Sequence, residues 1–502
     1  MRPINRKILA IILLLLSGTL GAGLLASERD SRPNILWIVV DDMSANFSCY
    51  GETAIATPHV DRLSREGVQF NRAFVTAPVC STCRSAFITG MYQTSIGAHH
   101  HRSGRGEKKI HLPKGVEPVP ALFQKAGYFT TISSWPSKGK RLGKTDYNFV
   151  WDTSMYDGND WSRRKPGQPF FAQIQLPGGK LRGGTEASCR KLARRADSVF
   201  GGRVQPKDVR LAPYYPRDPV LLEDWASYLD SVRFTDRVVG EIVERLTKEG
   251  ILEKTVILFL TDHGISHARG KQFLYEEGIH VPFVIRGPGI AKGRKRDDLI
   301  EHIDMAAVSL ALAGIPIPKS MQARDVLAKS YRPRDAIFSA RDRCDETVEH
   351  MRCVRTERFK YIRNFLPARP QLQPNAYKDK KSIYVALRKA HGEGRLNAVQ
   401  SLLFASTRPA EELYDLEKDP HEIRNLAADA EHRETLESLR KRLERWMEET
   451  DDHGRTPETD EMFASDMAVY VGSLKARKRD PAHLDTILRN IALMKKWAKE
   501  GK

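Results

Sequence analysis

The densest chemistry in this chain lies in Cys80-Ser81-Thr82-Cys83-Arg84-Ser85-Ala86-Phe87-Ile88-Thr89-Gly90. Ala77-Pro78-Val79 reads as a turn leading in, Ala86 to Ile88 supply an apolar face, and Gly90 is a helix stop. The stretch therefore reads as a helix with a cysteine at its start, where the positive end of the macrodipole favours anions. Arg84 follows four residues on, about one turn, so its side chain can stand beside that of Cys80. A nucleophile and a guanidinium at one helix N-terminus suit an oxyanion such as sulfate or phosphate. Taken alone, Cys80 and Cys83 also spell C-x-x-C, which fits redox chemistry, metal binding or two buried thiols.

Several elements must position this stretch. Residues 34–40 form an apolar run that reads as a central parallel strand, and they end in Asp41-Asp42. Residues 255–260 repeat the pattern and end in Thr261-Asp262-His263-Gly264; residues 169–176 form a third buried strand. Ligand-binding groups in open α/β sheets gather beyond the carboxyl ends of strands. Adjacent carboxylates there repel unless a cation lies between them; a turn-capping role is the plain alternative. Residues 121–130 read as helix, Gly127 cap and strand, and residues 223–250 carry helical periodicity. His99-His100-His101 suggest metal or anion binding, or a basic surface loop. Residues 183–217, rich in arginine and interrupted by prolines, read as a long surface insertion that could touch a glycan. From Tyr331 the character changes: residues 336–339, 351–356 and 359–362 suggest antiparallel strands, and Leu436, Leu439, Leu443 and Trp446 a following helix. The tail, residues 475–502, is basic and amphipathic.

The chain has 502 residues, with 81 Lys and Arg against 63 Asp and Glu, a formal charge of +18. That excess favours a polyanionic partner: an acidic polysaccharide, nucleic acid or an anionic membrane. Residues 1–26, with Arg2, Arg6 and Lys7 before an apolar run, read as a signal peptide, the rival being an uncleaved anchor. Export points to glycans rather than nucleic acid, in a periplasmic or secreted setting, with no membrane span left after cleavage. Six cysteines are too few for a disulfide scaffold, although Cys344 and Cys353 could pair.

Cys80, Arg84 and Thr89-Gly90 resemble the sulfatase signature C-x-P-S-R-x-x-x-x-T-G, with Thr82 in place of Pro and Cys83 in place of Ser. Three further segments are similar to that family in the same order: Thr57–Leu63 with His59 for Asn, Lys271–Pro282, and Glu412–Glu422. The resemblance implies an α/β fold, an alkaline-phosphatase-like sandwich with a mixed, mainly parallel central sheet, plus a smaller C-terminal α+β subdomain. It places a catalytic domain at 33–330, the subdomain at 331–430 and a helical extension at 431–502. It implies that a formylglycine-generating enzyme converts Cys80 to formylglycine. Asp41, Asp42, Asp262, His263 and the modified Cys80 would hold a divalent metal, Ca²⁺ by its oxygen-rich ligands, with Mg²⁺ or Mn²⁺ as alternatives. Arg84, Lys144 and Lys271 take catalytic places and His267 that of an additional catalytic histidine. His99, His100, His101 and Lys180 take substrate-binding places, Lys180 standing where the family usually has an acid histidine. The implied reaction is hydrolysis of a sulfate ester or N-sulfate on a sulfated glycan or a small sulfate ester, leaning towards heparan N-sulfatase-like and other polysaccharide sulfatases. The alternatives are a phosphate or phosphonate monoester hydrolase of the same superfamily and a non-catalytic glycan-binding relative with Cys80 unmodified.

Overall fold

Strand β1 (Asn34–Val40) is buried along its whole length because both of its faces are covered. Ile35, Trp37 and Val39 enter one core while Leu36, Ile38 and Val40 enter another, so a strand with alternating side chains reads as one unbroken apolar run. Further along the chain come β2 (Val68–Phe74), β3 (Phe129–Ser134), β4 (Phe170–Leu176), β5 (Thr255–Thr261), β6 (His280–Arg286), β7 (Arg294–Arg296) and β8 (Ile300–Glu301). Together they make an eight-stranded sheet of order β3-β4-β1-β5-β6-β2-β7, with β8 also on β2. The β3-β4-β1-β5 half is parallel, and β6 joins β5 and β2 antiparallel. This computed structural model describes residues 32–137, 139–477 and 480–502; the expected signal segment, 1–26, lies outside them.

Helices cover both faces: α1 (Pro58–Arg65), α2 (Cys80–Thr89), α3 (Val119–Lys125), α4 (Glu186–Phe200), α5 (Pro219–Lys248) and α6 (Asp304–Leu312). The 30-residue α5 opens on Pro219, with the Asp218 carboxylate accepting from the Val220 N–H, and buries Tyr228, Leu229, Val232 and Val239 in the second core. Helix α4 corrects the surface-insertion reading of residues 183–217. Thr185 and Ser188 form a reciprocal cap, and Cys189, Leu192, Ala193 and Ala196 line one buried face at helical spacing. The arginines occupy the opposite face.

A second, antiparallel sheet has the order β12 (Glu411–Asp415), β11 (Phe359–Asn364), β10 (Met351–Thr356), β9 (Ala336–Arg341). Helices α7 (Ser382–Gly392), α8 (Arg433–Glu449), α9 (Asp460–Ala476) and α10 (Pro481–Lys499) complete the chain. In α8 the expected stripe Leu436, Leu439, Leu443 and Trp446 is buried. The Trp446 ring lies against Phe338 of β9 at 4.9 Å and meets Tyr92, just past α2, edge-on at 5.1 Å. One aromatic thus ties the second sheet to the segment carrying Cys80. Cys344 and Cys353 do not pair; both are free, buried thiols. Among the described residues no helix is long and apolar enough to cross a membrane.

Candidate active site

Register sets the site. Val40 pairs with Leu176 on one side and with Thr261 on the other, so the residues after three adjacent parallel strands emerge side by side. These are Asp41-Asp42 after β1, Pro177 to Lys180 after β4, and Asp262-His263 after β5. The β4 turn runs against the end of β1: a Cβ on Gly178 would lie 2.2 Å from the Asp41 carbonyl oxygen, and one on Gly179 2.1 Å from that of Asp42. Only glycine permits this approach, and it delivers the Lys180 ammonium to Asp41 at 2.7 Å. Asp42 itself holds a left-handed backbone, φ +53°, a conformation that Asp tolerates better than most residues.

Helix α2 enters from below, starting at Cys80 and ending in left-handed Gly90. The Cys80 Sγ lies 3.1 Å from Lys271 Nζ, 3.1 Å from His263 Nε2, 3.7 Å from Lys180 Nζ and 3.8 Å from Asp42 Oδ1. Arg84, one turn on, is fully buried and forks between Asp41, Asp262 and the Gln175 side chain of β4. Lys144 reaches Asp41 at 3.0 Å. Lys144 and Lys180 are about one-third exposed and form the rim, whereas Lys271 is buried as floor. Arg84, Lys144, Lys180 and Lys271 thus face three carboxylates and one thiol.

Electrostatics follow from this crowd. Burial by itself would push the Cys80 thiol up; Lys144, Lys180, Lys271 and His263 outweigh it and hold the thiol well below its ordinary range. Burial would likewise discharge Lys180, but Asp42, Cys80 and Asp41 keep it cationic. Lys180 is therefore suited to holding an anion rather than to giving up a proton at neutral pH.

The donor set fits a divalent cation. Ligand atoms of Asp42, Cys80 and His263 lie within 4.8 Å of one another, and all three residues are buried. His263 Nδ1 is engaged at 2.9 Å by the Gly264 carbonyl oxygen, which leaves Nε2 turned to the carboxylates, the usual arrangement of a metal-ligating imidazole. Asp262 Oδ1 lies 3.4 Å from that Nε2. Asp41 is at present engaged by Arg84, Lys144 and Lys180.

The remaining expected site residues divide. His101 stands beside the centre, with its Nδ1 2.7 Å from the hydroxyl of Ser81. His99 and His100 lie against each other with ring centroids 4.3 Å apart and planes tilted by 51°; His100 takes the Arg343 N–H, and His99 sits in the field of Arg352 and Asp452. His267 lies one layer behind: its Nε2 is 2.7 Å from Asp224, and its ring meets Trp225 and Tyr215 edge-on. Asp224 also binds Arg182, whose other nitrogen holds the Gly179 carbonyl oxygen, so His267 braces the glycine turn rather than Cys80. Sequence reasoning missed Gln175 and Ser81. The signal for Gln175 was there, a polar side chain next to the end of a largely apolar strand that also carries Gln173; Ser81 carries none.

The buried histidines make stability pH-dependent. Burial, aided by Arg352, pushes His99 down to about 3 and His350 down to about 2. Both stay neutral in the folded chain while the unfolded chain binds protons from about pH 6.5 downward. Stability is then complete above pH 6.5 and falls as pH drops towards 3, by about 2 kcal/mol per histidine at pH 5. Thermal unfolding between pH 7.5 and 5 should show this slope, and His99→Asn should flatten it. An unchanged slope in that variant would remove His99 as a source.

Comparison with known proteins agrees with this geometry. The sulfatase family model matches residues 33–315, and a model of the N-sulphoglucosamine sulphohydrolase C-terminal region matches 263–372. An ulvan-active sulfatase of Formosa agariphila is 32% identical over 468 residues, 86% of this chain and 77% of that protein. Human N-sulphoglucosamine sulphohydrolase is 25% identical over 472 residues, 84% of this chain and 91% of that one. A solved structure of a protein in complex with its substrate, D-glucosamine-2-N,6-O-disulfate, superposes with a TM-score of 0.56 at 19% identity, covering 84% of this chain and 98% of that chain. The fold is an alkaline-phosphatase-like α/β sandwich, shared with the solved sulfatase structures it superposes on. This chain belongs to the sulfatase family, and it is a sulfuric ester hydrolase.

Proposed function

We propose that this enzyme is an exported sulfatase acting on a sulfated glycan, with Cys80 matured to formylglycine and a divalent cation, Ca²⁺ by its oxygen donors, held by Asp41, Asp42, Asp262 and His263. The observation that carries the reading is the ring of Arg84, Lys144, Lys180 and Lys271 closed over one helix-terminal cysteine beside three carboxylates. Hydrated formylglycine supplies an oxygen nucleophile and the cation supplies charge for an oxyanion. Every other part belongs to the side chains. Lys144 and Lys180 receive the sulfate at the rim. Lys271 meets the charge that grows on it, and Arg84 holds Asp41 and Asp262 in place. The ulvan and N-sulphoglucosamine substrates named for the two relatives, together with the +18 charge, support a polyanionic glycan.

The test is peptide mass spectrometry of the Cys80 segment from protein made with a formylglycine-generating system, followed by sulfate release from a panel of sulfated glycans. Exchange of sulfur for oxygen with loss of two hydrogens at Cys80, in protein that releases sulfate, is the expected result. Active, metal-loaded protein with an unmodified thiol overturns the mechanism.

Lys271→Ala is expected to lower kcat by about 10²–10³-fold with a smaller change in KM, because its contact strengthens as charge develops. Steady-state kinetics on one sulfated substrate checks this; a rise in KM at constant kcat would make Lys271 a ground-state binder instead.

A further inference from the structure

A cavity of about 280 Å³ opens beside the reactive centre, lined by His101, Arg102 and Asp345 on one side and by Val469, Tyr470 and Ser473 of α9 on the other. Its floor is tied to Cys80 through the next residue: the Ser81 hydroxyl engages His101 Nδ1 at 2.7 Å and accepts the Arg102 N–H at 2.8 Å. Its edge carries Asp146, 3.7 Å from the rim Lys144 and 2.8 Å from Arg105.

Asp345 points to a ligand. It is 7% exposed, yet its Oδ1 has no hydrogen-bond partner; His101 Nε2 at 3.9 Å and Arg102 at 3.8 Å are beyond hydrogen-bond reach. A buried carboxylate oxygen left without a donor is costly, and native folds rarely leave one without a role. Arg102, in contrast, keeps half of its side chain exposed at the mouth.

The opposite wall is tied to the loop that carries Arg102. Asp466 of α9 accepts the Gly104 N–H at 3.0 Å and pairs with buried Arg343, which also grips Glu458 at 2.7 Å. A Cβ on Gly106 would lie 2.3 Å from the Ser465 hydroxyl, so the loop and helix are in direct contact. Helix α9 lies outside both segments matched by the family models.

We propose that α9 closes a one-sugar subsite in which Asp345 accepts ring hydroxyls and Arg102 with Arg105 takes a further anionic group, a uronate carboxylate or a second sulfate. The volume lies just below the usual small-ligand range of about 300–1,000 Å³, room for one ring. The inference rests on the sulfatase reading and names its substrate class: a sugar bearing both the scissile sulfate and free hydroxyls, beside a second negative charge.

The test compares a sulfated, uronate-containing oligosaccharide with a small aryl sulfate, using Asp345→Asn, Arg102→Ala and Ser473→Trp, the last filling the cavity from α9. Each variant is expected to lower kcat/KM for the oligosaccharide by about 10- to 100-fold, mainly through KM, with at least a tenfold smaller fall on the aryl sulfate. Arg102 and Ser473 are surface-accessible, so these two variants keep the test open if Asp345→Asn does not fold. Equal falls on both substrates, or no fall on the oligosaccharide, overturn the inference alone. Parent enzyme that releases sulfate from neither substrate overturns it together with the sulfatase reading. His101, Cys344 and Asp345 also bring donor atoms within 4.8 Å. A second metal equivalent in the parent that is lost in Asp345→Asn would assign the carboxylate to an ion and overturn the subsite.

Discussion

Cys80→Ala should release sulfate at least about 10⁴-fold more slowly than the parent enzyme, while its unfolding transition stays close to the parent's. The size follows from position. Cys80 shares with the Asp42 carboxylate the place that Lys180, Lys271 and His263 all face, and its thiol stands at the first turn of α2. Without it the basic ring can still bind sulfate, but nothing there can attack sulfur. The fold should tolerate the change because the deleted atom is a single sulfur and Lys271 keeps Asp42 at 3.0 Å. Sulfate release by ion chromatography, with thermal unfolding in parallel, reads both quantities. Retained turnover above about a hundredth of the parent rate would move the nucleophile elsewhere.

Arg352→Met should cost about 3–5 kcal/mol of stability, the largest loss expected from a single substitution outside the reactive centre. Arg352 in β10 has no exposed side-chain surface and binds Asp452 at 2.5 and 3.0 Å and Asp342 at 3.1 Å. Methionine fills the space but leaves two buried carboxylates with no counter-charge. Burial, only partly offset by Arg352, already pushes Asp342 up to about 7. Losing the guanidinium removes that offset, and the cost grows with pH as both carboxylates are forced to ionise. The same arginine fixes the turn at Gly454, where a Cβ would lie 1.9 Å from its guanidinium. That turn precedes α9, so oligosaccharide turnover should suffer more than aryl sulfate turnover in the variant that does fold. A urea midpoint at unchanged slope measures the loss. A drop under about 1 kcal/mol would show that the pair is replaceable by apolar packing.

Much of the candidate site was legible in the chain itself, for a physical reason. Parallel strands buried on both faces appear as unbroken apolar runs, and ligand-binding residues follow them directly. Asp41-Asp42 and Asp262-His263 therefore announced themselves at the ends of β1 and β5, and Cys80 with Arg84 at the start of a helix. Lys271 came with its segment. Local spacing also held the signal for α4, Cys189, Leu192, Ala193 and Ala196, but the arginine-rich composition outweighed it in the reading.

Only the tertiary structure decided what depends on contacts between distant segments. It put Lys144 and Lys180 on one carboxylate across 103 and 139 residues of chain. It sent His267 behind the site to Asp224 and left Cys344 and Cys353 unpaired. It split the three histidines, because two residues of difference in a loop place His101 on Ser81 and leave His99 in the field of Arg352 and Asp452. Helix α9 carries no local mark of a site, yet it walls the cavity beside Cys80 through Asp466 and Arg343. Spacing along one segment is set by local geometry and can be read from the chain, whereas the meeting of 345 with 102 and 470 depends on how two sheets and a returning helix pack.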